Sequence, residues 1–150
     1  MMSRSVRISA LIFAVLAAHV SAQERQVVAD PTPLPGLPFS PAIRTGNLIF
    51  VSGQIGNVPG TRTLVSGGVA AETRQAMENI RRVLEAAGSS MSRVVKCTVF
   101  LADIADYSAM NQVYATFFPI DPPARSTLSS PGLAMGARIE VECIAVSGGS

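Results

Sequence analysis

The sequence predicts an α+β fold, a single domain whose mixed β-sheet carries two helices on one face. Segments of two-residue and 3.6-residue apolar periodicity follow one another as β-β-α-β-α-β-β. Both helical segments fall between strands, so each is a connection within one sheet. With an N-terminal leader set aside, about 128 residues remain, one domain's worth of chain with one core.

The leader is residues 1–22. Arg4 and Arg7 form a charged start, residues 8–20 an apolar run too short to span a bilayer, and Val20-Ser21-Ala22 a small-residue site for cleavage before Gln23. A buried N-terminal helix is the competing reading, but it leaves the charge and cleavage pattern to coincidence. The pattern predicts an exported chain, periplasmic or secreted, off the membrane once cleaved. Residues 23–38, with Pro31, Pro33, Pro35 and Pro38, read as an extended lead-in. The folded domain is expected over residues 39–147, with a tail at 148–150.

In AIRTGNLIFVSGQIG, the turn residues Thr45-Gly46-Asn47 join two short strands into a hairpin. In VAAETRQAMENIRRVLEAAG, Val69, Ala76, Ile80, Val83, Leu84 and Ala87 form one helical stripe, and Gly88 stops the helix. Glu78 with Arg82 and Arg81 with Glu85 are expected as outward i,i+4 pairs. In RVVKCTVFLAD, Val95, Cys97, Val99 and Leu101 are read on the inner face of a strand, against Lys96 and Thr98. DYSAMNQVYATFF repeats Tyr107, Met110, Val113 or Tyr114, and Phe117 at helical spacing. Two more strands follow, ARSTL and ARIEVECIAV, the second alternating Ile139, Val141, Cys143 and Ala145 against Arg138, Glu140 and Glu142. The sheet face left uncovered would carry Val94, Phe100, Ile144 and Val146. A mixed face of that kind meets another subunit or stays in water with its apolar residues scattered.

Composition narrows the chemistry. The chain has 12 basic and 10 acidic residues, and losing Arg4 and Arg7 leaves ten of each. A near-neutral chain has no electrostatic footprint for nucleic acid. The one histidine, His19, lies in the leader. Serine or cysteine nucleophiles paired with histidine are therefore excluded, as is a histidine metal site, and two cysteines alone do not hold zinc. What remains is carboxylates, arginine, hydroxyls, backbone groups and water. Cys97 and Cys143 fall on the apolar sides of their strands. They are read as buried free thiols, since neighbouring strands rarely offer bridge geometry, although export would permit a disulfide.

DPPARSTLSS aims one arginine. Pro122 and Pro123 fix the backbone before Arg125 and reduce the entropy lost in holding its side chain. The competing reading is an edge-strand arginine paired with a surface carboxylate.

Together, GNLIFVSGQIG, NIRRVLEAAGSSMSRVVKCTVFLADIADYSAMNQVYATFF, PPARST and IEVECIAV resemble the RidA (YjgF-like) family, also labelled L-PSP endoribonuclease, over about residues 39–146. The resemblance implies a chorismate-mutase-like fold and a homotrimer whose sheets line a central barrel, with ligand clefts between subunits. It also implies hydrolysis of reactive enamines and imines such as 2-aminoacrylate to 2-keto acids and ammonia, with no cofactor or metal. By the family's pattern Arg125 binds the substrate carboxylate, for which a guanidinium offers a planar fork. Glu140 positions or activates water, a role open to a carboxylate beside a neutral imine. Ser52 and Asn111 match cleft residues. For each of these a surface role is the competing reading, and for Glu142 it is the favoured one. Phe39 stands where many members have tyrosine, so an aromatic wall is expected without its phenol. Thr127 stands where many have cysteine and supplies the same backbone carbonyl. The short loop between Phe118 and Pro123 is expected to reshape the cleft.

The functional expectation is an exported enamine/imine deaminase. A receptor that binds small carboxylates in the same cleft without turnover is the alternative. A ribonuclease is disfavoured by the neutral chain and the missing histidine.

Overall fold

The computed structural model describes residues 24–148, so the expected leader, its expected cleavage site and His19 lie outside the described residues. The strands are β1 (Arg25–Val28), β2 (Ala42–Thr45), β3 (Leu48–Ile55), β4 (Val94–Leu101), β5 (Ala124–Ser129) and β6 (Ile139–Val146), and the helices are α1 (Gly68–Ala86) and α2 (Tyr107–Tyr114). They form one sheet in the order β1-β2-β3-β6-β4-β5. Only β4 and β5 run parallel, joined through α2, so the sheet is mixed as expected. Both helices lie on one face, α1 over β3 and β6 with α2 beside it.

Alternation along the strands builds the core. Ile49, Val99, Leu101, Ile139 and Val141 point inward and are fully buried against Met77, Ile80, Val83 and Leu84 of α1. Helix α1 ends as its Gly88 predicts. With φ +70°, Gly88 lets its own N–H reach the Glu85 carbonyl at 2.9 Å and that of Ser89 reach Leu84 at 2.8 Å, which satisfies carbonyls the helix leaves open.

Four expectations are corrected. First, the lead-in contributes to the sheet: β1 pairs antiparallel with β2, so the folded chain begins before Phe39. Asp30 then anchors this segment, accepting from Arg82 of α1 at 3.2 Å. Second, that contact takes Arg82 from Glu78, while Arg81 pairs with Glu78 at 2.8 Å one turn back instead of with Glu85. Third, the start of β4 is inverted. Val94 is 7% exposed and belongs to the core, whereas Val95 is 46% exposed. A bulge between Val94 and Lys96 in the pairing with β6 shifts the alternation by one residue.

Fourth, Cys97 and Cys143 form a disulfide. They are directly opposed in the antiparallel β4–β6 register, with Cα atoms 4.1 Å apart, closer than adjacent strands generally allow. The bridge closes a separation of 46 residues, for which loop-closure entropy gives about 4 kcal/mol. The joint substitution Cys97→Ala with Cys143→Ala is expected to lower the unfolding free energy by about 2–4 kcal/mol. Urea denaturation of that variant, beside the parent with and without dithiothreitol, measures the difference.

Candidate active site

Two groups of polar residues occupy different faces of the sheet. Arg125 lies on the edge strand β5, opposite Cys97, and so turns toward the helices. Its guanidinium rests on α2, with Cζ 4.6 Å from the Tyr114 ring centroid and 5.7 Å from that of Tyr107. Nη2 donates to the Tyr107 hydroxyl at 3.3 Å, and Nη1 lies 3.9 Å from the Met110 sulfur. Among the described residues no carboxylate pairs with Arg125. The cation is aimed and held without being neutralised, contrary to the surface ion pair.

Two hydroxyls in this group lack partners. Tyr114 Oη and Thr127 Oγ1 are buried and bonded to nothing among the described residues. Burial pushes the Tyr114 phenol up to about 12 despite the nearby Arg125 charge, so it keeps its proton at any ordinary pH. Each unsatisfied buried polar group costs about 1–3 kcal/mol, so the ground around Arg125 is kept at a local cost in stability. Asn111, one turn after Tyr107 on α2, joins the group by hydrogen bonding to the Tyr107 phenol.

Glu140 belongs to the other face. Its neighbours Ile139 and Val141 are in the core, so its own side chain turns away from the helices. A bulge after Val51 reverses β3 as well: Ile55 comes opposite Glu140 and leaves the main core. With Gly53 and Gln54 these residues line a cavity of about 380 Å³, walled by Leu34 and Leu37 of the lead-in, by Phe39 and by Met135. Burial, and then repulsion from Glu142, raises the Glu140 carboxyl above its ordinary value. A carboxylate so placed is a better base.

Ser52 supports this second group from behind. Its hydroxyl donates to the Ser40 carbonyl at 2.7 Å and its N–H to Pro41 at 3.0 Å, which fixes the lead-in next to Phe39. Among the described residues no three of His, Cys, Asp and Glu gather as a metal ligand set.

The site residues read from the sequence thus fall into two sets: Arg125, Thr127 and Asn111 on one side, Glu140, Phe39 and Ser52 on the other. One chain does not bring them together. The sequence reading missed Tyr107 and Tyr114, which looked like parts of a helix stripe, and Gly53. A Cβ on Gly53 would run into the Glu140 carboxylate, so the missing side chain is what lets Glu140 lie there. Gly53→Ala is expected to swing Glu140 off this position, the carboxylate being the flexible partner, while stability changes by less than about 1 kcal/mol. A crystal structure of the variant and its urea denaturation read the two effects separately.

A profile of the family described as Endoribonuclease L-PSP matches residues 31–147. Reactive Intermediate Deaminase A, chloroplastic, of Arabidopsis thaliana is 42% identical over 134 residues, covering 89% of this chain and 72% of that protein. The 2-iminobutanoate/2-iminopropanoate deaminase of Homo sapiens is 44% identical over 111 residues, 74% of this chain and 81% of that one. The solved structure of the YjgF gene product of E. coli superposes with a TM-score of 0.75 at 35% identity, over 81% of this chain and 98% of its own. By profile, by sequence identity and by fold, the chain belongs to the Endoribonuclease L-PSP family, the family that its motifs resemble under the name RidA.

Proposed function

We propose that this chain is an exported hydrolytic deaminase of reactive 2-imino and 2-enamino acids, and that it works as a homotrimer in which Arg125 of one subunit faces Glu140 of the next. The observation that carries the reading is the division of the site: an unneutralised, aromatic-held Arg125 on one sheet face and a cavity-lining glutamate on the other. Relatives named as a reactive intermediate deaminase and as a 2-iminobutanoate/2-iminopropanoate deaminase support the reaction. The partly apolar outer face, with Phe50, Val95 and Leu128 exposed, supports the assembly.

Arg125 pairs with the substrate carboxylate through two parallel N–H bonds, which fixes the neighbouring C=N carbon. Glu140 accepts a proton from a water as its oxygen attacks that carbon. That proton passes to nitrogen, giving a carbinolamine; its hydroxyl then gives up its proton, through Glu140, to the nitrogen as the C=O forms and the C–N bond breaks, and a 2-keto acid and ammonia leave. An enamine reaches the same point after protonation at carbon. The cavity beside Glu140 falls in the size range of pockets for much larger ligands, so imines with side chains longer than methyl fit.

The test couples the purified protein to an amino-acid oxidase and follows semicarbazide trapping of the imine. Arg125→Ala and Arg125→Lys are expected to lose at least about ten- to a hundredfold in turnover efficiency, because lysine keeps the charge without the fork. Glu140→Gln should keep pyruvate binding and lose hydrolysis. Mixed trimers of Arg125→Ala and Glu140→Gln chains should regain about a quarter of the parental activity, since random assembly leaves that share of clefts with both residues intact. No recovery on mixing defeats the shared cleft. Pyruvate binding without clearance of any imine supports the carboxylate receptor.

Export is supported by the leader pattern and by a disulfide suited to an oxidising compartment. Protein recovered from its native host should have the mass of a chain starting at Gln23 and, unfolded without reductant, should take up no alkylating agent. An intact Met1 or two alkylated thiols defeats the reading.

A further inference from the structure

The chain has two tyrosines, and they differ in what their hydroxyls can reach. Tyr114 is buried, with its hydroxyl closed off from solvent. Tyr107, the first residue of α2, is 42% exposed and stands beside Arg125. Arg125 Nη2 donates to its oxygen at 3.3 Å, and the Asn111 side chain hydrogen-bonds to the same phenol. A phenol has one proton to give. Both bonds favour the ionised phenol, so Arg125 and Asn111 both donate to its oxygen and neither takes its proton, which is turned away from the guanidinium. A carboxylate that pairs with Arg125 would bring an acceptor oxygen to this place. Phe39, the aromatic of the other half of the site, has no hydroxyl to offer.

We propose that Tyr107 is a further substrate-binding residue, whose hydroxyl donates to the carboxylate held by Arg125, so that Arg125, Tyr107 and Asn111 together form the carboxylate receptor. The inference rests on the deaminase reading of Arg125 and extends it to a residue whose helical spacing suggests only packing. The charged and titratable groups around Tyr107 are Arg125 on β5, Tyr114 on α2 and Asp106 just before α2. Asp106 is taken up by Arg138 at 2.7 Å, so Arg125 is the cation nearest the phenol. Hydrogen bonding by Asn111, and then by Arg125, holds the Tyr107 phenol below its ordinary value of 10.0. Ionisation would remove the donor and set a negative charge against the carboxylate. Pyruvate binding should therefore weaken as pH rises toward the ordinary tyrosine range.

The experiment measures pyruvate binding by calorimetry across alkaline pH for the parent, Tyr107→Phe and Arg125→Ala. Tyr107→Phe is expected to raise Kd about three- to tenfold, the range for one net hydrogen bond, and to lose the parent's alkaline weakening. A ring that merely packs against Arg125 would leave that pH profile unchanged, because phenylalanine keeps the ring. If Tyr107→Phe binds like the parent with the same alkaline limb while Arg125→Ala does not bind, the Tyr107 inference fails and the reading of Arg125 stands. If Arg125→Ala binds as the parent does, both fall.

Discussion

A β-strand sends successive side chains to opposite faces, and in this sheet that rule keeps Arg125 and Glu140 apart. Arg125 shares the helix face with Cys97, and Glu140 points from β6 to the far face, with β4 between their strands. No rotamer change crosses a paired sheet. A site that uses both residues must draw them from two chains. The position of β5 at the sheet edge suits this, since an edge strand can present Arg125 to a neighbour while its other side stays paired to β4.

Each half is prepared at some cost in stability. Around Arg125 the unsatisfied hydroxyls of Tyr114 and Thr127 are tolerated because the core beneath, from Met110 to the Cys97–Cys143 bridge, holds the strand in place. Around Glu140 the lead-in supplies the walls, and it is tied down twice. Asp30 accepts from Arg82 and from the Thr32 N–H, which hold its carboxyl below the ordinary range against the opposing effect of burial, and Ser52 grips the chain at Ser40 and Pro41. Such tethers place side chains more accurately than a free loop does.

The regular elements were legible because their periodicity is strong: the α1 stripe, its stop at Gly88 and the inward residues of β6 all follow local rules. Arg125 was legible through its prolines. The bulge that moves Val94 inward was not, since it depends on the register with Ala145 and Ile144, residues some fifty positions away. Nor was the role of Arg25–Val28, because four residues set off from β2 by a proline-rich stretch read as lead-in until a partner strand is known. The disulfide turns on the same register: one residue of slip would part Cys97 from Cys143. Tyr107 was hidden by its spacing, which suits packing on the helix as well as contact with Arg125. What local pattern cannot supply is which strands pair and in what register.

The two halves also differ in electrostatics. Glu140 alone is pushed up by burial and by Glu142, which makes its carboxylate more basic but leaves less of it ionised. In the proposed trimer, Arg125 of a neighbouring subunit would lower the carboxyl again and restore the charged form. A substrate carboxylate then neutralises that arginine. With the attraction partly removed, Glu140 would become more basic at the moment a water beside the imine must be deprotonated. In the proposed cleft the cation would have two duties: to bind the carboxylate and, by being neutralised, to hand basicity to the glutamate. Neither duty needs histidine, consistent with a chain whose single histidine is His19, within the proposed leader.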